Sequence, residues 1–310
     1  MELKIFSGTS NPSLAESAAN SLGLPLSKLK LQRFPDGEIN VKIEENVRGK
    51  DIYLIQSTSH PIGDNLLELL LIIDAACRVG AERITVIIPY LGYARQDRRV
   101  TGIEPIGAHL IASMLRATAI SRIIAVDIHN PALEGFFRQP LDNISAVPLL
   151  AEMASKSKAG IVVSPDLGAV KLAERFAAFM SLPVAIVHKS RITGTEVKVH
   201  TVAGKVQNKK PLIVDDMIST AGTVEAAAKA LLTAGCLPEI SIAATHGLLV
   251  GPASERLKRL PLKHLFLTNT ISIQPEIDLP IEIVDLGPLL AEVIRRLQNQ
   301  ESIIDMLVHL

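Results

Sequence analysis

Asp215 and Asp216 stand side by side at the end of the apolar run 211–214. Two residues later comes Ser219-Thr220-Ala221-Gly222-Thr223, which opens an alanine-rich amphipathic stretch. A plain turn with Ser219 or Thr220 as helix N-cap would account for the hydroxyls. It leaves the two carboxylates and the cluster of small residues unexplained. Small side chains let backbone N–H groups approach a phosphate, and the helix that follows presents its positive end at the same place. Carboxylates beside such a site repel an anion unless they bind sugar hydroxyls or a divalent cation. A ribose phosphate answers both halves, with its phosphate on residues 219–223 and its 2- and 3-hydroxyls on Asp215 and Asp216.

A second cluster lies in "IPYLGYARQDRR", where Arg95, Arg98 and Arg99 surround Gln96 and Asp97 directly after an apolar run. A charge run is usually a solvated loop. At the carboxyl edge of a parallel sheet, where ligands bind, three guanidinium groups suit a polyphosphate, since arginine forks onto phosphate oxygens. His129 in "AVDIHNP" and Asp166 in "VVSPDLG" also fall at the ends of apolar runs. Magnesium prefers oxygen donors, so chemistry alone favours Asp166 over His129 as its ligand. "VHKSRITGTEV" carries Lys189 and Arg191 into a polar stretch with a glycine. Such residues are commonly only solubilising, but a cationic flap of this kind suits closure over a phosphoryl group. "RFPDGEINVKI" reads as a hairpin around a Pro-Asp-Gly turn, and nothing in it alone calls for a ligand.

These residues must be held by a scaffold, and the rest of the chain describes one. Short β-branched runs alternate with helical patterns through nearly all 310 residues. Strands are predicted at "LKIF", "DIYLIQ", "RITVIIPY", "RIIAVDIH", "GIVVS", "VAIVH", "PLIVDD", "ISIAATH" and "IEIVDL". Helices are predicted over 13–22, 64–79, 105–117, 169–180, 223–234 and 288–298. The alternation predicts an α/β architecture of mostly parallel sheets flanked by helices. The chain also repeats itself once. "FSGTSNPSLAESAANSLGLPL" parallels "VSPDLGAVKLAERFAAFMSLPV", and "RGKDIYLIQSTSHPIG…" parallels "QNKKPLIVDDMISTAGT…". Two tandem copies of one domain follow, 1–145 and 146–310, with the final helix expected to pack back on the first. In the first copy Gln56 and Ser57 fall where the second has Asp215 and Asp216, so only the second copy carries the acidic pair.

Lysine plus arginine equals aspartate plus glutamate at 32 each. This balance argues against a nucleic-acid-binding or membrane-surface protein. Cys77 and Cys236, both in or beside apolar helical stretches, read as core hydrophobes of a reducing compartment. "MELKIFSGTS" shows no leader pattern, and the apolar run around residues 66–77 is too short and too charged to span a bilayer. The expectation is a soluble cytoplasmic protein.

The loop with its acidic pair resembles the ribose-5-phosphate loop of the type I phosphoribosyltransferase fold. Across nearly the whole chain, "RFPDGE", "ENVRG", "IQST", "DNLLELL", "IPYLGYARQDRR", "VDIHNP", "GFF", "SPD", "KSR", "VDDMISTAGT" and "ATHG" together resemble the ribose-phosphate pyrophosphokinase (PRPP synthetase) family. The resemblance implies two type I phosphoribosyltransferase-like domains. It also implies transfer of the β,γ-diphosphoryl group of ATP to the 1-hydroxyl of ribose 5-phosphate, with Mg²⁺ as cofactor. By position, Phe34, Asp36 and Glu38 would contact adenine from a neighbouring subunit of a dimer-based homo-oligomer, in the extreme a hexamer. Arg95, Gln96, Arg98, Arg99 and His129 would hold ATP, His129 and Asp166 would place Mg²⁺, and Lys189 and Arg191 would form the catalytic flap. Asp215, Asp216, Ser219, Thr220, Ala221, Gly222 and Thr223 would bind ribose 5-phosphate. A nucleobase phosphoribosyltransferase would share the loop without needing the arginine cluster or the hairpin. A non-catalytic homologue would lose the flap cations or the acidic pair, and both are present.

Three departures qualify the resemblance. Ser219 replaces an aspartate common in bacterial members and is similar to archaeal-type ones. "KSR" lacks the second adjacent arginine of the usual flap. Thr101, Gly102 and Ile103 replace an Arg-Ser-Arg segment tied to nucleotide inhibition and phosphate activation, so inhibition by ADP is expected to be weak.

Overall fold

The computed structural model describes residues 2–191, 198–273 and 277–308, with the side chains of 189–191 and 198–200 outside the description. The chain forms two compact units. One holds residues up to 145 together with 270–272 and 285–309; the other holds 146–269 and 273–284.

In the first unit the elements run β1 (Leu3–Ser7), α1 (Pro12–Ser21), β2 (Leu29–Arg33), β3 (Ile39–Ile43), β4 (Asp51–Ile55), α2 (Ile62–Arg78), β5 (Arg83–Ile88), α3 (Gly107–Arg116), β6 (Arg122–Val126) and β7 (Leu141–Ile144). Strands β1-β4-β5-β6-β7 form one parallel sheet in that spatial order, and β2 and β3 pair as a separate antiparallel hairpin. β4 is buried along its whole length, because helices cover both sides of its neighbours. One side of the sheet packs Ile52, Leu54, Val86 and Ile88 against Leu69, Ile72 and Ile73 of α2, and Leu29, Leu31, Val41 and Ile43 seat the hairpin on the same core.

In the second unit follow α4 (Val147–Ala154), β8 (Ile161–Ser164), α5 (Val170–Met180), β9 (Val184–Arg191), β10 (Lys198–Ala203), β11 (Pro211–Ile218), α6 (Gly222–Thr233), β12 (Ile240–Gly247), α7 (Ala253–Lys258), β13 (Leu262–Thr268) and β14 (Ile281–Val284). The sheet order is β10-β9-β8-β11-β12-β13-β14, parallel except for the β9–β10 pair. The last helix, α8 (Gly287–Gln298), belongs to the first unit and lies along α1. Only glycine fits at 287, where a Cβ would stand 2.0 Å from Ser17 Oγ.

The α/β class and parallel sheets are those expected, and the additions have local causes. β13 escaped prediction because Lys263 and His264 break its apolar run. β7 is only four residues long, and α4 and α7 are short. Cys77 corrects an expectation. Its neighbours Ile72, Ile73 and Ala76 form the buried stripe of α2, which leaves Cys77 exposed, while Cys236 is buried. Among the described residues no helix is long and apolar enough to cross a membrane.

Candidate active site

In the second unit β8, β11 and β12 are adjacent, so the segments after their carboxyl ends share one edge of the sheet. β11 runs two residues past the acidic pair, because Met217 and Ile218 pair with His246 and Gly247 of β12. Asp215 and Asp216 therefore lie inside the strand rather than at its tip, and both are half-buried. The N–H of Asp216 donates to Asp215 Oδ1 at 3.0 Å. Burial, the adjoining Asp216 carboxylate and Asp166 push the Asp215 carboxyl well above the usual carboxylate range. Asp216 and Asp166 thus both raise the cost of ionising Asp215. Asp166, exposed after β8, is fixed by the N–H groups of Gly168 (2.8 Å) and Ala169 (3.2 Å), both donating to its Oδ1.

The loop between β11 and α6 is not a capped turn. The N-cap position falls on Ala221, in left-handed conformation (φ 58°, ψ 13°), and no side chain caps the helix. Neither Ser219 nor Thr220 fills that role. A left-handed alanine costs about 1 kcal/mol, so surrounding contacts hold it there. The Val250 N–H donates to Ser219 O at 3.0 Å, and Arg256 Nη1 of α7 donates to Thr220 O at 3.0 Å. Arg256 lies across Gly222, where a Cβ would meet its Nη1 at 3.1 Å. The first-turn amides of a helix have no intrahelical acceptor; here, among the described residues, the Glu225 N–H is answered by Ala221 O. The others remain available in a loop beside two carboxylates. That arrangement can take a phosphate on the amides and hydroxyls on the acids.

In the first unit β4, β5 and β6 are adjacent. Past β5 the chain turns at Tyr93 (φ 63°), closed by the Gln96 N–H on Tyr93 O at 2.9 Å and by the Ala108 N–H on Gln96 O at 3.1 Å. Asp97, half-buried, accepts from Asn130 Nδ2 at 2.6 Å, which ties the arginine loop to the segment holding His129. Arg95, Gln96, Arg98, Arg99 and His129 are all exposed. The backbone is thus fixed while the guanidinium groups reach outward. The hairpin turn places Phe34 (49% exposed), Asp36 and Glu38 at its tip. It is closed by the Phe34 N–H on Glu38 O at 2.9 Å and braced by Arg33, which binds Gly37 O (2.8 Å) and Asp64 (2.7 Å).

Comparison with known proteins gives this geometry a context. Residues 3–118 match the N-terminal domain of ribose phosphate pyrophosphokinase, and residues 190–308 match the phosphoribosyl synthetase-associated domain. The ribose-phosphate pyrophosphokinase of Caldanaerobacter subterraneus subsp. tengcongensis is 43% identical over 305 residues, covering 97% of this chain and 96% of that protein. The chain belongs to the ribose-phosphate pyrophosphokinase family. The Bacillus subtilis member is 42% identical over 304 residues, covering 97% of this chain and 96% of its own. The crystal structure of phosphoribosylpyrophosphate synthetase from Mycobacterium smegmatis superposes with a TM-score of 0.90 at 36% identity, over 97% of this chain and 100% of that one.

Within this ribose-phosphate pyrophosphokinase fold, Asp166, Asp215, Asp216 and residues 219–223 gather at one sheet edge. Arg95 to Arg99 and His129 gather at the other unit's edge. Lys189 and Arg191 stand on the backbone of β9, opposite His200 and Lys198 of β10; their side chains, and residues 192–197, lie outside the described residues. Arg256 was not legible beforehand. It reads as one charge among several in "SERLKR", and only its seat on Gly222 marks it.

Proposed function

We propose that this chain transfers the β,γ-diphosphoryl group of ATP to the 1-hydroxyl of ribose 5-phosphate, releasing AMP and forming phosphoribosyl pyrophosphate. The observation that carries the reading is the uncapped, left-handed entry to α6 beside Asp215 and Asp216. In this reading the amides of residues 219–223, with the hydroxyls of Ser219, Thr220 and Thr223, hold the 5-phosphate, and Asp215 and Asp216 hold the ring hydroxyls. Arg95, Gln96, Arg98, Arg99 and His129 hold ATP. Phe34, Asp36 and Glu38 reach the adenine of a neighbouring subunit, so the active form is a homo-oligomer built on dimers. We read the two halves, divided at 145 and 146, as two copies of a phosphoribosyltransferase-like domain in a cytoplasmic enzyme.

The ribose 1-oxygen attacks the β-phosphorus in line. The bond from that phosphorus to the oxygen bridging the α-phosphate breaks, AMP leaves with that oxygen, and the hydroxyl proton is lost to water. Catalysis of this kind is mostly positioning and charge neutralisation. The arginines, Lys189 and Arg191 serve the second task.

The donor set suits magnesium. Mg²⁺ takes one or two carboxylates and completes its shell with water and substrate phosphate oxygens. Among the described residues there is no preformed group of three metal-binding side chains. Burial and the neighbouring carboxylates of Asp216 and Asp166 hold the Asp215 carboxyl above the usual range, a cost that a bound cation would relieve. Asp166, exposed and with its Oδ1 held by two amides, is the natural ligand; His129, a nitrogen donor, is the weaker candidate. When bound, Mg²⁺ would neutralise the diphosphoryl oxygens.

The test is to mix the protein with Mg·ATP and ribose 5-phosphate and follow nucleotide products. AMP formed in step with the sugar supports the reading; ADP as product, or AMP formed equally without the sugar, refutes it.

A further inference from the structure

We infer that Thr58, with Ser57 beside it, is a positioning residue for the arginine loop. The hydroxyls that follow β4 seat residues 90–92 and thereby set where Arg95, Arg98 and Arg99 present their charges. The inference rests on the proposed role of those arginines toward ATP.

The argument begins with the duplication. Ile55 and Val214 correspond at an offset of 159, which carries Gln56 and Ser57 onto Asp215 and Asp216. In the second unit that place is half-open and faces an uncapped helix. In the first it is closed: Gln56 and Ser57 are wholly buried and Thr58 nearly so. Gln56 Nε2 donates to Glu68 Oε1 at 2.8 Å, and Ser10 Oγ donates to Gln56 Oε1 at 2.6 Å. Thr9 donates to both oxygens of Glu68, at 2.6 and 2.7 Å, and the Ser57 N–H donates to Ser10 Oγ at 2.9 Å. Polar groups that a ligand would need are spent on the protein itself.

What this plugged site holds is the next loop. Thr58 Oγ1 accepts from the Gly92 N–H at 2.7 Å and donates to Tyr90 O at 3.1 Å, and the Thr58 N–H donates to the same carbonyl at 2.9 Å. Ser57 Oγ accepts from the Tyr90 N–H at 3.3 Å and donates to Thr270 O at 2.5 Å. The approach is so close that a Cβ on Gly92 would lie 2.5 Å from Thr58 O. Only Tyr93 and Ala94 separate Gly92 from Arg95, and the turn they enter is closed by the Gln96 N–H on Tyr93 O. A shift at Gly92 therefore passes to Arg95. Valine fills the volume of threonine but leaves a buried N–H without its acceptor, which costs more than the bond's own net contribution.

The experiment compares T58V, T58S and R98A in the full-length chain, with both substrates varied at a temperature below each variant's unfolding transition. T58V is expected to lower kcat/KM for ATP at least about tenfold, as a misplaced binding group does, while KM for ribose 5-phosphate stays near that of the unmodified protein. T58S keeps the oxygen and is expected to restore most of the loss. If T58V proves unfolded, S57A carries the same expectation for ATP. Unchanged kcat/KM for ATP in T58V, equal losses for both substrates, or no rescue by serine would each overturn the inference. An R98A variant with unchanged KM for ATP would instead overturn the role of the arginines, and this inference with it. T58V without effect beside an impaired R98A overturns the inference alone.

Discussion

Removing Arg256 tests whether the loop before α6 is held ready for its phosphate. In R256A, Thr220 O loses the Nη1 donor at 3.0 Å, and Glu225 loses a guanidinium partner at 3.4 Å. Glu225 keeps Lys229 Nζ at 2.6 Å, so its own position survives. A hydrogen bond from a charged donor contributes about 1.5–3 kcal/mol when sheltered. Arg256 is one-third exposed, and solvent competition reduces that to about 1 kcal/mol. Without the clamp, the left-handed Ala221 can relax toward ordinary conformations, and binding must then restore the loop. Together these effects amount to about 1–1.4 kcal/mol, or about five- to tenfold in affinity for ribose 5-phosphate. The assay is a titration of the sugar at saturating Mg·ATP, alongside a thermal unfolding scan. The expected result is a rise of that size in KM for ribose 5-phosphate, little change in KM for ATP, and a Tm lowered by about 2 °C. An unchanged KM for the sugar, or an equal rise for ATP, would refute the reasoning.

Further expectations follow from other parts of the molecule. The raised carboxyl of Asp215 binds its proton more tightly folded than unfolded, so this group adds stability as pH falls through its folded pKa toward the ordinary value of 3.8. Thermal scans without added metal should show that trend, and D215N should lose it; an identical trend in D215N would contradict the assignment. Thr101 spends its N–H and hydroxyl on Glu104, at 2.6–3.0 Å, holding that carboxyl down to about 2. With no arginine in this segment, inhibition by ADP should be weak and competitive with ATP, and a steep, phosphate-reversible inhibition that ATP does not relieve would contradict this. If Phe34 serves a neighbouring subunit, dilution to monomers should abolish activity. Full activity in a verified monomer would sink that part of the proposal.

Much of this fold can be read from local chemistry. Strands buried on both faces announce themselves as unbroken β-branched runs, and the Pro-Asp-Gly hairpin follows from the turn demanded at Gly37, with φ 95°. β13 shows where the signal fails. Its first half is half-buried and polar, so Lys263 and His264 mask a strand that tertiary pairing supplies. The site shows the same division. Residue types at Asp215, Asp216 and 219–223 suggest a phosphosugar loop, but the helix entry at Ala221 contradicts the ordinary rule that Ser219 or Thr220 should cap it. Arg256, Ser57, Thr58 and Glu68 act through contacts distant in sequence, and no short motif contains such information. Glu68 reads only as a charge interrupting an apolar helix, until the fold brings Thr9 and Gln56 to it.

Calorimetric titration of ribose 5-phosphate into the protein tests the central claim most directly, with Mg²⁺ and a non-hydrolysable ATP analogue present. The unmodified chain should bind the phosphosugar and show no measurable binding of ribose, and D215N/D216N should lose the interaction while still binding the nucleotide. Retained affinity in the double variant, or equal affinity for ribose without its phosphate, would contradict the account.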